Sequence, residues 1–204
     1  MKYLLPLVFL PFTLFAQPAK EGEPFQWDIP EGWFGEKILL PPGFAPTMSW
    51  KGFEEIRFAP GMFKSGQPDF FSYALVFSLV EDADISKSAL EKQILLYYQG
   101  LSAAVSKGKG RQVDVSTFKV DLKDWKDGAK SAPTQAKGTK AYTCQLDWIE
   151  PFATGKSQAL HIDVHAWKDK ERKRTFLFFC ATPSAKGSEI RKDLAKIRKD
   201  FRIK

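Results

Sequence analysis

The chain has 204 residues, with 31 Lys or Arg against 24 Asp or Glu, a formal charge of +7, and 44% hydrophobic and 14% aromatic residues. That is the composition of a folded globular chain of about one domain; it excludes a disordered tail, a collagen and, with only two cysteines, a disulfide scaffold. Asparagine does not occur, so there is no N-glycosylation sequon.

The first element is an address. Lys2 precedes an apolar run from Tyr3 to Ala16 that is interrupted by Pro6 and Pro11. The run is shorter than the roughly 20 residues a bilayer span needs, and a positive start with a small residue at its end reads as a signal peptide. Residues 1–16 are therefore expected to be cleaved after Ala16, or alternatively after Ala19, leaving an exported protein, periplasmic or secreted. No later apolar run is long enough for a transmembrane anchor.

Residues 17–25 read as a linker and 26–204 as one domain. Pro30, Pro41, Pro42, Pro46 and Pro60 restrict residues 26–62 to turns and edge strands, because proline cannot donate to a central ladder. Phe53–Phe58 reads as a strand. Phe70–Val80 is a stronger one, with Phe71, Tyr73, Leu75, Phe77 and Leu79 on one face by period two. A helix is expected over 88–106. Ser88 with Glu91 matches a capping box, Leu90, Ile94, Tyr97, Tyr98, Leu101, Ala104 and Val105 recur at helical spacing, and Gly108 and Gly110 stop it.

Residues 112–123 read as a strand with Val113 and Val115 in phase, and 124–138 as a loop. Three strand-like runs follow, Lys140–Ile149, Ala159–Trp167 and Arg174–Thr182, with short connections that predict an antiparallel meander. The last element, 188–201, is helical, with Ile190, Leu194, Ile197 and Phe201 on one face and Arg191, Lys192, Lys196, Arg198 and Lys199 on the other. The fold class is thus α+β: a mainly antiparallel sheet with helices packed on both faces and the C-terminal helix closing the fold.

Register can be read from the alternation. Pairing Ile149 with Ala159 sets Asp147 opposite His161, Gln145 opposite Asp163 and Thr143 opposite His165. The run 174–182 is apolar on both faces and so belongs in the centre of the sheet. Cys144 and Cys180 fall on the first and third runs of the meander. They are then at least about 9.6 Å apart, beyond the roughly 7 Å a disulfide tolerates, so both are expected to be buried thiols.

The segment IPEGW (29–33), the single mid-chain helix, the later meander and the closing DLAKIRKDFRI (193–203) together resemble the PsbP-like group of small domains. The resemblance implies a central antiparallel sheet covered by helices on both sides, and an accessory or binding role. It assigns no functional residue.

Three constellations could carry function. Arg57, Phe58, Met62 and Phe63, around Gly61 in the segment 54–71, combine a cation with adaptable apolar side chains and form the expected partner-binding surface. His161, Asp163 and His165 alternate on one strand face with Asp147 opposite, a donor set suited to zinc or another divalent metal. Trp33 and Trp50 are candidate stacking residues for a polysaccharide. No nucleophile, zinc-protease or P-loop motif occurs. The basic clusters Lys107–Arg111, Lys168–Arg174 and the last helix read as solvated faces, with an anionic envelope component as a second possibility; they lack the interleaved aromatics of a nucleic-acid site. The sequence reads best as an exported, non-catalytic binding or accessory protein of the cell envelope without a cofactor, and as a metal-binding protein or a polysaccharide-binding module in the alternatives.

Overall fold

A computed structural model describes residues 24–133 and 137–204. The signal peptide expected over 1–16 and most of the expected linker lie outside the described residues. Nine strands are present among them: β1 (Phe25–Gln26), β2 (Phe34–Leu40), β3 (Gly52–Phe58), β4 (Tyr73–Val80), β5 (Lys119–Asp124), β6 (Lys140–Ile149), β7 (Ser157–Asp169), β8 (Arg174–Thr182) and β9 (Arg202–Ile203). Two helices join them, α1 (Lys87–Gly108) and α2 (Glu189–Asp200).

Seven strands make one antiparallel sheet in the order β2-β3-β4-β8-β7-β6-β5. It is two meanders joined edge to edge. After β2, β3 and β4, helix α1 carries the chain to the far edge at β5. Strands β6, β7 and β8 then step back until β8 pairs with β4. The strand with apolar residues on both faces is therefore central, as its composition requires. β1 and β9 form a separate two-stranded clasp, Phe25 opposite Ile203. The last residue of the expected linker, Phe25, thus belongs to the fold and is buried.

Period two sorts the core into two layers. Tyr73, Leu75, Phe77, Leu79, Leu177, Phe179, Ile162 and Leu146 pack against Leu90, Ile94, Tyr97 and Tyr98 of α1. Ala74, Val76, Phe176, Phe178, Cys180 and Trp167 pack against Ile190, Leu194 and Ile197 of α2, with Phe25, Trp27 and Phe201. Consecutive residues of β4 and β8 fall in different layers, so the helices cover opposite faces.

Several sequence expectations are corrected. The α1 cap is Ser86, not Ser88: its side chain accepts from the Ala89 amide, and Ser88 already lies inside the helix. Strand β4 begins at Tyr73 rather than Phe70, because Phe71 is left-handed (φ 47°) and its amide donates to Met62 in a turn. Residues 112–123 are not one strand. Asp114 accepts from the Ser116 amide and winds Val115–Thr117 into a 3₁₀ turn, so pairing starts at Lys119. The β6–β7 register is shifted by two, with Ile149 opposite Ser157 and Asp147 opposite Ala159. A two-residue shift keeps every side chain on its expected face. Arg198, expected on the solvent face of α2, is buried.

Cys144 and Cys180 are free and buried. Strand β7 separates them, and they belong to opposite layers of the core.

Candidate functional site

Strand β3 sends successive side chains to opposite faces, and this divides the expected partner-binding set. Arg57 faces the α2 layer and is only 7% exposed. Its guanidinium donates to the Trp27 carbonyl at 2.6 Å and to Glu55 Oε2 at 2.9 Å, and lies 4.5 Å from the centre of the Trp27 indole. Burial lowers its pKa, and Glu55 opposes that shift. Arg57 is therefore a strut between β3 and the N-terminal segment. Phe58, Met62 and Phe63 turn to the α1 side, where Met62 is part of the core. The four residues do not share one surface.

Phe58 and Phe63 do meet, together with two rings the sequence did not single out. Phe34 on β2 stacks on Phe58 at 5.0 Å, and Phe63 lies 6.0 Å from Phe34, 6.1 Å from Phe58 and 5.3 Å from Phe152. Cross-strand pairing explains the first contact, since Phe34 is directly opposite Phe58. Two carboxylates hold the loops that bring the others. Asp69 accepts from the Gly61 amide at 2.7 Å, and a Cβ at Gly61 would overlap that carboxylate. Glu150 is buried and accepts from the Thr154 amide at 2.7 Å, the Ala153 amide and the Thr154 hydroxyl, which closes the loop carrying Phe152. Lys109 also donates to the Phe152 carbonyl. The result is an aromatic end to the sheet with Phe63 as its outermost ring, 47% exposed, and Lys64 exposed beside it. Nothing local in the sequence marks Phe34 or Phe152; only the strand order brings them to this end.

The histidine strand places its residues on one face but does not converge them. His165 is fully buried: its Nε2 donates to the Gly128 carbonyl at 3.1 Å, with Ser131 Oγ at 3.3 Å, leaving Nδ1 without a partner. Burial pushes its pKa down to about 4. Asp163 points to Arg198 Nη1 at 3.9 Å, and Cys180 Sγ lies 3.8 Å from the same nitrogen. His161 is half-buried. Asp147 is exposed, where Gln145 Nε2 donates to it at 2.9 Å. Among the described residues, no three His, Cys, Asp or Glu side chains gather around a point where one ion could sit. Asp163 faces Arg198 of α2, while His165 is tied to the Gly128–Ser131 turn.

The two tryptophans also part. Trp50 is buried in the α1 layer, 5.1 Å from Phe77. Trp33 is half-buried at the rim of the α2 layer.

No family model matches the chain, and no curated protein matches it. Among solved structures it is similar to the cyanobacterial PsbP (CyanoP) of Synechocystis sp. PCC 6803, at 8% identity and a TM-score of 0.42, covering 92% of this chain and 91% of that one. It is also similar to LpqN, involved in cell envelope biogenesis of Mycobacterium tuberculosis, at 12% identity and a TM-score of 0.32, covering 92% and 89%. The first belongs to the group that the sequence resembles. At such identities and scores, function must be argued from this chain's own side chains.

Proposed function

We propose that the protein is an exported, non-catalytic accessory protein of the cell envelope that docks a partner protein through the aromatic end formed by Phe34, Phe58, Phe63 and Phe152. The export address rests on residues 1–16. The docking surface rests on one observation: Phe63 is held out at 47% exposure on a loop that Asp69 fixes, with three more phenylalanine rings behind it. Aromatic rings held in place lose little conformational entropy on binding, and they dominate the energetics of many interfaces.

The test is co-purification from a cell-envelope extract with the wild type and with Phe63→Ala. One stoichiometric species that is retained by the wild type and lost by Phe63→Ala, at an unchanged melting temperature, is the expected result. A species retained equally by both would sink the assignment. Arg57→Ala is the contrasting variant: it removes a buried strut, so its melting temperature falls.

A further inference from the structure

The aromatic end carries a rim of positive charge. Lys64 follows Phe63 on the same exposed loop. Lys109, just past the end of α1, donates to the Phe152 carbonyl. Arg111 lies over Gly155, where a Cβ would stand 2.9 Å from the guanidinium Nη1. Lys156 is the next residue of that loop. Three segments distant in sequence thus bring four cations around Phe63 and Phe152, whose rings are 5.3 Å apart. All four cations are exposed, and none makes an ion pair among the described residues, whereas Lys123, Lys130 and Lys192 do.

The carboxylates of the same segments are turned inward. Asp69 accepts from the Gly61 amide. Glu150 is fully buried and accepts from the Ala153 and Thr154 amides and the Thr154 hydroxyl. Asp114, the first acid after Arg111, accepts from the Ser116 amide and hydroxyl. Each of the two loops therefore uses its acid to hold its own backbone and leaves its base outside. The carbonyls at the end of α1 account for Lys107, which lies in the last turn of the helix. Lys64 and Lys156 lie on other segments, and the Arg111 guanidinium is turned to Gly155, so that account does not extend to them.

We propose that the partner docked at the aromatic end is acidic: a protein segment that sets Asp and Glu side chains around an apolar anchor packed on Phe63. This rests on the docking role of that end and names the chemistry of what it docks. Carboxylates form charge-assisted hydrogen bonds with a guanidinium and with ammonium groups, and an apolar anchor excludes water beside them. Attraction across the rim speeds encounter, is screened by salt and rejects basic partners. An uncharged partner would cover the rings but leave four cations facing no counter-charge.

The purified protein is titrated at low ionic strength with a synthetic peptide of glutamates around a central phenylalanine, with its lysine counterpart and with phosphatidylglycerol vesicles. Binding is followed by calorimetry and by amide chemical shifts at 62–65 and 152–156. The acidic peptide is expected to bind at least tenfold more tightly than the basic one, and to be weakened at least tenfold by about 0.5 M salt. Lys64→Gln/Arg111→Gln/Lys156→Gln, at three exposed positions, should weaken it as much with an unchanged melting temperature. Equal binding of the two peptides, no binding at millimolar peptide, or wild-type binding by the charge variant would overturn the acidic partner. Binding of the vesicles without the acidic peptide would overturn it in favour of a lipid surface. The envelope species lost by Phe63→Ala should also be lost by the charge variant. A species lost by Phe63→Ala and kept by the charge variant would overturn the acidity and leave docking standing; no species lost by either would overturn docking itself.

Discussion

At the scale of single residues, Glu54 and His165 are buried ionisable groups with opposite consequences. Glu54 lies on β3 under α1, fully buried, with the Tyr97 hydroxyl donating to Oε1 at 3.1 Å and Oε2 unpartnered. Burial raises its pKa from 4.5 to about 8, against the Tyr97 hydrogen bond, which lowers it. The folded state therefore keeps a proton that the unfolded chain releases. The stability this contributes is complete below pH 4.5 and is lost as pH rises towards about 8. His165 works the other way. Its pKa is depressed from 6.5 to about 4, so its contribution is present above pH 6.5 and is lost as pH falls towards about 4. The two slopes oppose each other between pH 4.5 and 6.5, and only the Glu54 slope remains from pH 6.5 to about 8. Denaturant unfolding should show wild-type stability falling over that upper window by at most about 1.4 kcal/mol per pH unit. Glu54→Gln should flatten the fall even if its absolute stability is lower. An unchanged slope would mean that Glu54 is ionised in the folded protein.

At the scale of elements, the two helices differ in how they are held. Helix α2 is a simple amphipath, with Ile190, Leu194 and Ile197 buried and most of its charges outward. Arg198 is the exception, because the polar face of β7 supplies Asp163 as a partner. Helix α1 is gripped on two sides. Its inner face lies on the sheet, and the loop at Phe44–Ala45 crosses it at Gly100, where a Cβ would come within 2.2 Å of the Phe44 carbonyl oxygen. Gln93 ties the same region down: its Oε1 accepts from the Ser49 amide and its Nε2 donates to the Ser49 hydroxyl, each at 2.9 Å. Replacing glycine by alanine inside an exposed helix gains up to about 1 kcal/mol. Here the neighbour is backbone and cannot swing away, so Gly100→Ala should destabilise and lower the melting temperature. A rise would show that the Phe44 loop yields easily. Helical period reveals both helices in the sequence, but it carries no trace of a loop lying on Gly100.

At the scale of the molecule, the chain ends are fastened together over the α2 layer. Phe25 and Gln26 pair with Ile203 and Arg202, and Lys204 donates from its amide to Pro24. Phe201, just past α2, is fully buried, with Phe25 at 5.1 Å and Phe178 at 5.5 Å, and Trp27 and Trp167 both at 6.1 Å. Its side chain joins the N-terminal segment, the last helix and the central strand β8. Phe201→Ala should cost about 3–5 kcal/mol and lower the melting temperature on the order of 10 °C. It should also loosen the N-terminal segment that Phe201 packs against, visible as faster amide exchange at 25–33. A loss of stability confined to the last few residues would show that the clasp is not part of the cooperative unit.

The sequence by itself determined what depends on neighbours along the chain. The two-period of β4, β6 and β7 fixed which side chains share a face, and that assignment survived a two-residue error in register because a shift of two preserves the pleat. The 3.6-period of 90–105 and 190–197 located both helices, and the apolar run 174–182 placed β8 at the centre. Tertiary structure alone decided where distant segments meet. Arg57 and Phe58 are adjacent in sequence yet serve opposite faces. Asp163 and His165 share a face with His161, but Asp163 turns to Arg198 and His165 to Gly128. The aromatic end is assembled from segments more than 100 residues apart, Phe34 and Phe152 among them. Alternation specifies direction within one element; which elements lie side by side is set by the packing of whole faces, which no short window of sequence contains.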